Sequence, residues 1–164
     1  MIIYSTAKPN ESEKSAISDI MIRNKPDFFN DRNLPYLDEV DFFVIAKFEE
    51  QIIGFAMMYD NDKNLQKSFG KTNLSWHLEI DNTFHQHGVG TELLNYIKER
   101  SKDYELLCAD INPRNQASLA LHKKAGLTNA HDTRHVLDTT TIPNKKSFLE
   151  RDIKIVPKRE LKEK

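Results

Sequence analysis

The 164-residue chain carries 24 basic and 25 acidic residues, a formal net charge of −1, and so offers no global electrostatic footprint for nucleic acid. Its length fits one domain and is enough to build a core without staples, while its single cysteine, Cys108, precludes an internal disulfide and fits a reducing compartment. No run approaches the ~20 apolar residues of a membrane span and the first residues read as a strand and not a secretory signal, so the expectation is a cytoplasmic globular domain that binds neither nucleic acid nor membrane.

Residues 1–7, "MIIYSTA", are β-branched and aromatic and predict a strand. Pro9 and Asn10 stop it; Asn10 with Glu13 has capping-box spacing, and Ile17, Ile20 and Met21 form the buried stripe of the helix that follows. Residues 26–39 read as irregular or briefly helical, with Phe28, Phe29, Tyr36 and Leu37 as apolar members. The runs "DFFVIAKFEE" and "QIIGFAMMYD" predict an antiparallel hairpin turning at Glu49, Glu50 and Gln51, although no Asn-Gly marks the turn. Residues 60–71 are polar, contain Gly70 and read as a loop. "NLSWHLEI" alternates, with Leu74, Trp76, Leu78 and Ile80 on one face and Ser75, His77 and Glu79 on the other, as in a half-buried strand.

A helix is predicted after Gly88, with Val89, Leu93, Leu94 and Ile97 facing inward. "ELLCADI" predicts a short strand in which Cys108 is a small buried apolar residue and not a nucleophile. Pro113, Asn112 and Asn115 start another helix, with Leu121 and Ala125 in the core and Gly126 at its close. Two further strands, 128–137 and 148–156, are joined by a loop containing Pro143. A single domain is thus expected over residues 1–156, with a charged tail at 157–164. The order β-α-β-β-β-α-β-α-β-β predicts an α/β (α+β) fold, a mixed sheet with helices packed on it, and argues against a doubly wound nucleotide fold.

Only five glycines occur in the chain, and two of them, Gly88 and Gly90, stand where an apolar helix begins. A Rossmann fingerprint needs a third glycine where Leu93 stands, and a P-loop needs Gly-Lys-Ser/Thr; both fail. Two readings remain. The open backbone of a helix N-terminus can admit a phosphate to its N–H groups, with Thr91 adding a hydroxyl. Alternatively, the glycines simply let the helix pack closely on the sheet.

His85-Gln86-His87-Gly88-Val89-Gly90 resembles the coenzyme-A motif Gln/Arg-x-x-Gly-x-Gly/Ala of the GNAT superfamily of N-acyltransferases, with His85 in place of Gln/Arg. "ADINPRNQASLALHKKAGL" is similar to the same family's N-x-x-A-x-x-L-Y-x-K-x-G-F segment. Asn115 falls on its Asn, Leu121 and residues 123–126 align, His122 replaces the Tyr and Leu127 the Phe. The resemblance covers residues 74–127 and implies a GNAT-like, mostly antiparallel sheet flanked by helices. It further implies that acetyl-CoA is the co-substrate, with its pyrophosphate on the amides of Gln86, His87, Gly88, Val89, Gly90 and Thr91 and Asn115 near its pantetheine arm. By the same resemblance, backbone N–H groups around Ile80 polarise the thioester, and many relatives form a homodimer through their last strands.

Transfer from a thioester to an amine needs a neutral amine, a polarised carbonyl and a protonated leaving thiolate, and a free alkyl amine has a pKa near ~10. Relatives usually pass the acyl group directly, and the lack of a convincing Ser or Cys nucleophile agrees with that. Asp110 lies twelve residues before His122, where some amine-acetylating relatives carry a carboxylate base; alternatively it is a strand-end residue that solvates a turn or caps the next helix. Glu79 is a rival base, or an exposed or salt-bridged residue on a half-wet strand. His122, seven residues after Asn115 and on the same helix face, could donate a proton as the usual Tyr does, or be a surface helix residue that fills that position with no proton role. His85 with His87, and His131 with His135, lack a completing acidic or Cys partner, so no metal is expected. Phe28, Phe29, Tyr36 and Leu37 fall in the segment that forms the acceptor side in relatives, or belong to the core. The leading expectation is an acetyl-CoA-dependent N-acetyltransferase acting on a small-molecule or peptide amine. Alternatives are a coenzyme-A-binding regulatory module on the same fold, and transfer to oxygen or of a longer acyl group.

Overall fold

A computed structural model of the chain describes residues 2–25, 37–84 and 88–141. The chain runs β1 (Ile2–Ala7), α1 (Glu11–Asn24), β2 (Phe42–Phe48), β3 (Gln51–Asp60), α2 (Lys63–Phe69), β4 (Asn73–Ile80), α3 (Val89–Arg100), β5 (Leu106–Asp110), α4 (Gln116–Lys124), β6 (Thr128–His131) and β7 (Arg134–Asp138). The seven strands form one sheet in the order β1-β2-β3-β4-β5-β7-β6. Every pairing is antiparallel except β4 with β5.

Local chemistry accounts for most of these elements. Glu13 N–H donates to Asn10 Oδ1 at 2.8 Å and Asn10 N–H to Glu13 Oε1 at 3.1 Å, which completes the predicted capping box of α1. The β2–β3 hairpin forms with Phe48 opposite Gln51. Its two turn residues, Glu49 and Glu50, both adopt positive φ, 48° and 68°. Such a turn suits the twist of the strands but favours Asn and Gly, which is why no turn motif announced it. A bulge shifts the register after Ala46, and Gly54 beside it is closely approached: a Cβ there would lie 2.9 Å from Ile80 Cδ1, which would have to shift, and 3.3 Å from Glu79 O.

Both faces of the central sheet are covered, which explains its unbroken apolar runs. On one face Ile17, Ile20 and Met21 of α1 pack on Phe43, Ile45, Phe55 and Met57. On the other, Val89, Leu93, Leu94 and Ile97 of α3 pack on Val44, Ala56, Met58, Leu74, Trp76 and Leu78. Leu37 is buried against the α1 face, whereas Phe28, Phe29, Tyr36 and the expected strand at 148–156 lie outside the described residues.

Two sequence expectations change. The polar stretch 60–71 contains helix α2, capped by Asp62 Oδ1 accepting from Asn64 N and Leu65 N at 3.0 Å and closed by Gly70 at φ 66°. One buried side chain, Leu65, anchors it, too few for a readable periodicity. The strand expected over 128–137 is a hairpin, because Asp132 turns the chain at φ 49° between β6 and β7. That places His131 and His135 on different strands, and no group of three metal-binding side chains exists among the described residues.

Candidate active site

The one parallel pairing creates the site. β4 and β5 are matched only from Asn73 opposite Leu106 to Trp76 opposite Ala109. Beyond Trp76, β4 continues to Ile80 against β3 alone, so the sheet opens between the two strands. Asp81 N–H donates to Ile53 O at 2.8 Å. Peptide groups alternate along a strand, so those of His77 and Glu79 also face β3 while those of Leu78 and Ile80 face the gap. The Ile80 carbonyl there accepts from Asn24 Nδ2 at 2.8 Å. The gap is therefore lined by backbone.

A cavity of about 700 Å³ lies on the α3–α4 side, lined by Leu78, Ile80, Gly88, Gly90, Thr91 and Asn115 among others. A second, of about 810 Å³, is bounded by Tyr59, His77, Cys108, Asp110 and Arg134. Apart from Trp76, its sheet residues, Met57, Tyr59, Ser75, His77, Cys108 and Asp110, alternate with those that pack under α3, so it opens on the α1 face. Lys25 and Asn112 line both cavities, which meet at the gap.

Each motif glycine has a local structural reason. Gly88 is the N-cap of α3 with φ 78°, a left-handed conformation that costs other residues energy. A Cβ on Gly90 would stand 3.3 Å from Leu121 Cδ2, so this glycine lets α4 approach α3. Both glycines also line the first cavity, where the N–H groups opening α3 have no helical partner and the helix dipole favours an anion. The packing and phosphate readings are thus compatible. His85, Gln86 and His87 lie outside the described residues.

Asn115 caps α4, its Oδ1 accepting from Ser118 N at 3.1 Å, and lines the first cavity. Asp110 ends β5 with its side chain exposed on the second cavity. Glu79 is not a solvated strand residue: it is 4% exposed. Lys25 Nζ donates to it at 2.7 Å, His77 Nε2 lies at 2.9 Å and Asn24 Nδ2 donates at 2.9 Å. Burial alone would raise its pKa, but His77 and Lys25 outweigh burial and hold the carboxyl at about 2. A carboxylate so held is a poor proton acceptor near neutrality.

His122 is not the expected surface residue, and its surroundings oppose the proton-donor reading. It is 1% exposed, its Nε2 accepts from Trp76 Nε1 at 3.1 Å, and its Nδ1 lies 2.8 Å from the Ser118 carbonyl. That carbonyl is an acceptor only, so Nδ1 carries the proton. Burial lowers its pKa to about 4. It stacks on Trp76 behind the sheet and borders neither cavity. A neutral imidazole with both nitrogens engaged has no proton to give a departing thiolate. Cys108 is buried and its thiol is pushed up to about 11 by burial, in keeping with a packing role.

Several site residues escaped the sequence analysis. Asn24 and Lys25 reach the site only because α1 ends beside β4, and Arg134 only because β7 lies next to β5. His77 carried a readable signal, its place beside Glu79 on the wet face of the strand that leads to the glycine motif.

Comparison with known proteins agrees with this geometry. The family model described as Acetyltransferase (GNAT) family matches residues 11–127. No curated protein matches the sequence. Among solved structures, a Pyrococcus horikoshii OT3 protein is 17% identical with a TM-score of 0.70, covering 84% of this chain and 98% of its own. The yncA protein of Salmonella typhimurium, solved with its cofactor acetyl-CoA, is 15% identical with a TM-score of 0.63, over 82% of this chain and 93% of its own. A ribosomal-protein-alanine N-acetyltransferase from Brucella melitensis is 17% identical with a TM-score of 0.61, over 81% and 96%. The opened sheet, the glycine-started helix beside it and the family match over residues 11–127 together establish that the chain belongs to the GNAT acetyltransferase family.

Proposed function

We propose that the protein transfers the acetyl group of acetyl-CoA directly to a primary amine of a small molecule or a peptide. The observation that carries this reading is the meeting of two cavities, from opposite faces of the sheet, where β4 parts from β5. A thioester lying along Leu78–Ile80 and an amine entering from the α1 face reach each other through that gap. The first cavity fits the coenzyme: a helix N-terminus opened by a left-handed glycine suits a pyrophosphate, and a strand with gap-facing peptides suits a pantetheine arm.

In this reading the amides of Gly88, Val89, Gly90 and Thr91 hold the pyrophosphate, together with the preceding His85, Gln86 and His87. Asn115 has its Oδ1 engaged in the cap, and its Nδ2 is the group that meets the pantetheine arm. The gap-facing N–H groups of Leu78 and Ile80 polarise the thioester carbonyl, where hydrogen bonds strengthen as charge develops on oxygen. Asp110 draws the acceptor's ammonium into the second cavity. With His122 buried and neutral, the thiolate takes its proton from the attacking amine as the amide forms.

A second reading, a coenzyme-A-binding module without turnover, draws on one observation: the family's usual Tyr acid is replaced by an imidazole that cannot act as one. A thermal melt with saturating acetyl-CoA, with ATP as control, tests the cofactor. Ligand at a hundred times Kd adds about 2.7 kcal/mol to folding stability, a rise of several degrees. No rise refutes the acetyl-CoA reading. A rise followed by no acetylated product across polyamines, aminoglycosides and peptide N-termini transfers the conclusion to the binding module.

A further inference from the structure

At the junction of the two cavities, one side chain has hydrogen-bond partners that a neutral molecule cannot satisfy together. His77 Nε2 lies 2.9 Å from Glu79 Oε1, and His77 Nδ1 lies 3.3 Å from the backbone oxygen of Asp110, across the gap between β4 and β5. Both partners are acceptors. Neutral imidazole has a single N–H. The buried carboxylate of Glu79 is the closer and charged partner, so it takes the Nε2 proton. That leaves the Nδ1 lone pair facing the Asp110 carbonyl at the edge of the second cavity, which His77 lines. The Nδ1 contact becomes a hydrogen bond only when this nitrogen gains a proton.

We propose, resting on the acetyltransferase reading above, that His77 is the catalytic base that takes the proton from the acceptor's ammonium, with Glu79 as the positioning residue that fixes its Nε2–H tautomer. The acceptor R–NH₃⁺ gives one proton to Nδ1 and becomes the nucleophile R–NH₂. Its nitrogen pair forms the C–N bond to the thioester carbon, the C–S bond breaks with its pair going to sulfur, and the second N–H proton passes to that sulfur. His77 then returns its proton to solvent. The net products are the amide, free coenzyme A and one proton.

The surroundings of His77 suit the task. Its own strand contributes the carboxylate of Glu79 and β5 that of Asp110, while the end of α1 contributes Lys25, which shares Glu79 Oε1 at 2.7 Å, and β7 contributes Arg134. Tyr59 of β3, Cys108 of β5 and Asp62, the N-cap of α2, also line the cavity, and His122 stands on the far side of β4. Glu79 itself borders the first cavity only and is covered by three donors, so it steers the imidazole and does not meet the amine.

Histidine-selective NMR of the full chain across pH, with H77Q to assign the resonance, reads the tautomer directly and needs no acceptor. The expected result is Nε2–H at high pH, protonation at Nδ1 as pH falls, and a weakened preference for the Nε2–H tautomer in E79Q. An Nδ1–H tautomer at high pH overturns the proposal. In turnover with the best amine from the panel above, H77Q is expected to lose about 10²–10⁴-fold in kcat/KM together with the acidic limb of the pH profile, while still gaining thermal stability from acetyl-CoA. A rate within threefold of wild type overturns it. Loss of the wild-type response to acetyl-CoA would instead sink the acetyltransferase reading, so the two failures are distinguishable.

Discussion

The burial of His122 makes a prediction about stability and pH that can be worked out from its surroundings. Its folded pKa is lowered by burial from 6.5 to about 4. Between these values the unfolded chain binds a proton that the folded chain refuses, so folding stability rises with pH across this window and is lost as pH falls through it. For a pair of pKa values at 6.5 and 4, this one group costs about 2 kcal/mol at pH 5 relative to pH 7.5. In a chain this long that corresponds to a fall in Tm of about 4–8 °C. The carboxyl groups with lowered values, Glu79 among them, act at lower pH, because their contribution is present above the unfolded value near 4.5 and lost below it. The window above pH 5 therefore sets the histidines apart from the carboxyl groups, and comparison with a variant lacking His122 isolates this one ring. Urea unfolding of wild type and His122→Gln at pH 7.5, 6 and 5 measures the effect. The variant keeps an acceptor for the Trp76 N–H and has no titrating ring, so its curve should be flatter by about 2 kcal/mol. Equal pH slopes for the two proteins would show that His122 is not held neutral by burial, and the argument against its acting as the acid would fall with it.

Other perturbations address separate parts of the molecule. Replacing Gly88 by Ala forces a side chain into the left-handed N-cap of α3 and should cost about 1–2 kcal/mol, seen as a lower Tm, with weaker acetyl-CoA binding by calorimetry. Lys25→Met removes one charged donor from buried Glu79 and should destabilise by about 1.5–3 kcal/mol in urea unfolding at pH 7. Glu49→Asn with Glu50→Gly places residues that accept positive φ at both turn positions and should raise Tm by several degrees, a gain of about 1–2 kcal/mol. An unchanged Tm would mean that the turn carries no strain. Asp110→Asn should raise the KM for the amine at least tenfold while leaving the acetyl-CoA-induced rise in Tm intact.

The sequence alone determined the features that depend on neighbours along the chain. The Asn10–Glu13 capping box, the alternation of Asn73–Ile80, the stripe of α3 and the Gly88–Gly90 helix start are local patterns whose cause lies within a few residues, and each is present as expected. Helix α2 escaped because a single buried leucine gives no period. The β6–β7 turn escaped because Asp132 adopts positive φ without a glycine to mark it. What only the tertiary structure decided is the state of each titratable group. Asn24, Lys25, His77 and Glu79 come from two distant parts of the sequence and meet where the end of α1 crosses β4. His122 becomes neutral because Trp76, 46 residues away, closes over it. A proton's location is set by desolvation and by the donors within hydrogen-bond reach. Both are properties of packing across the sheet, and no spacing along the chain encodes them.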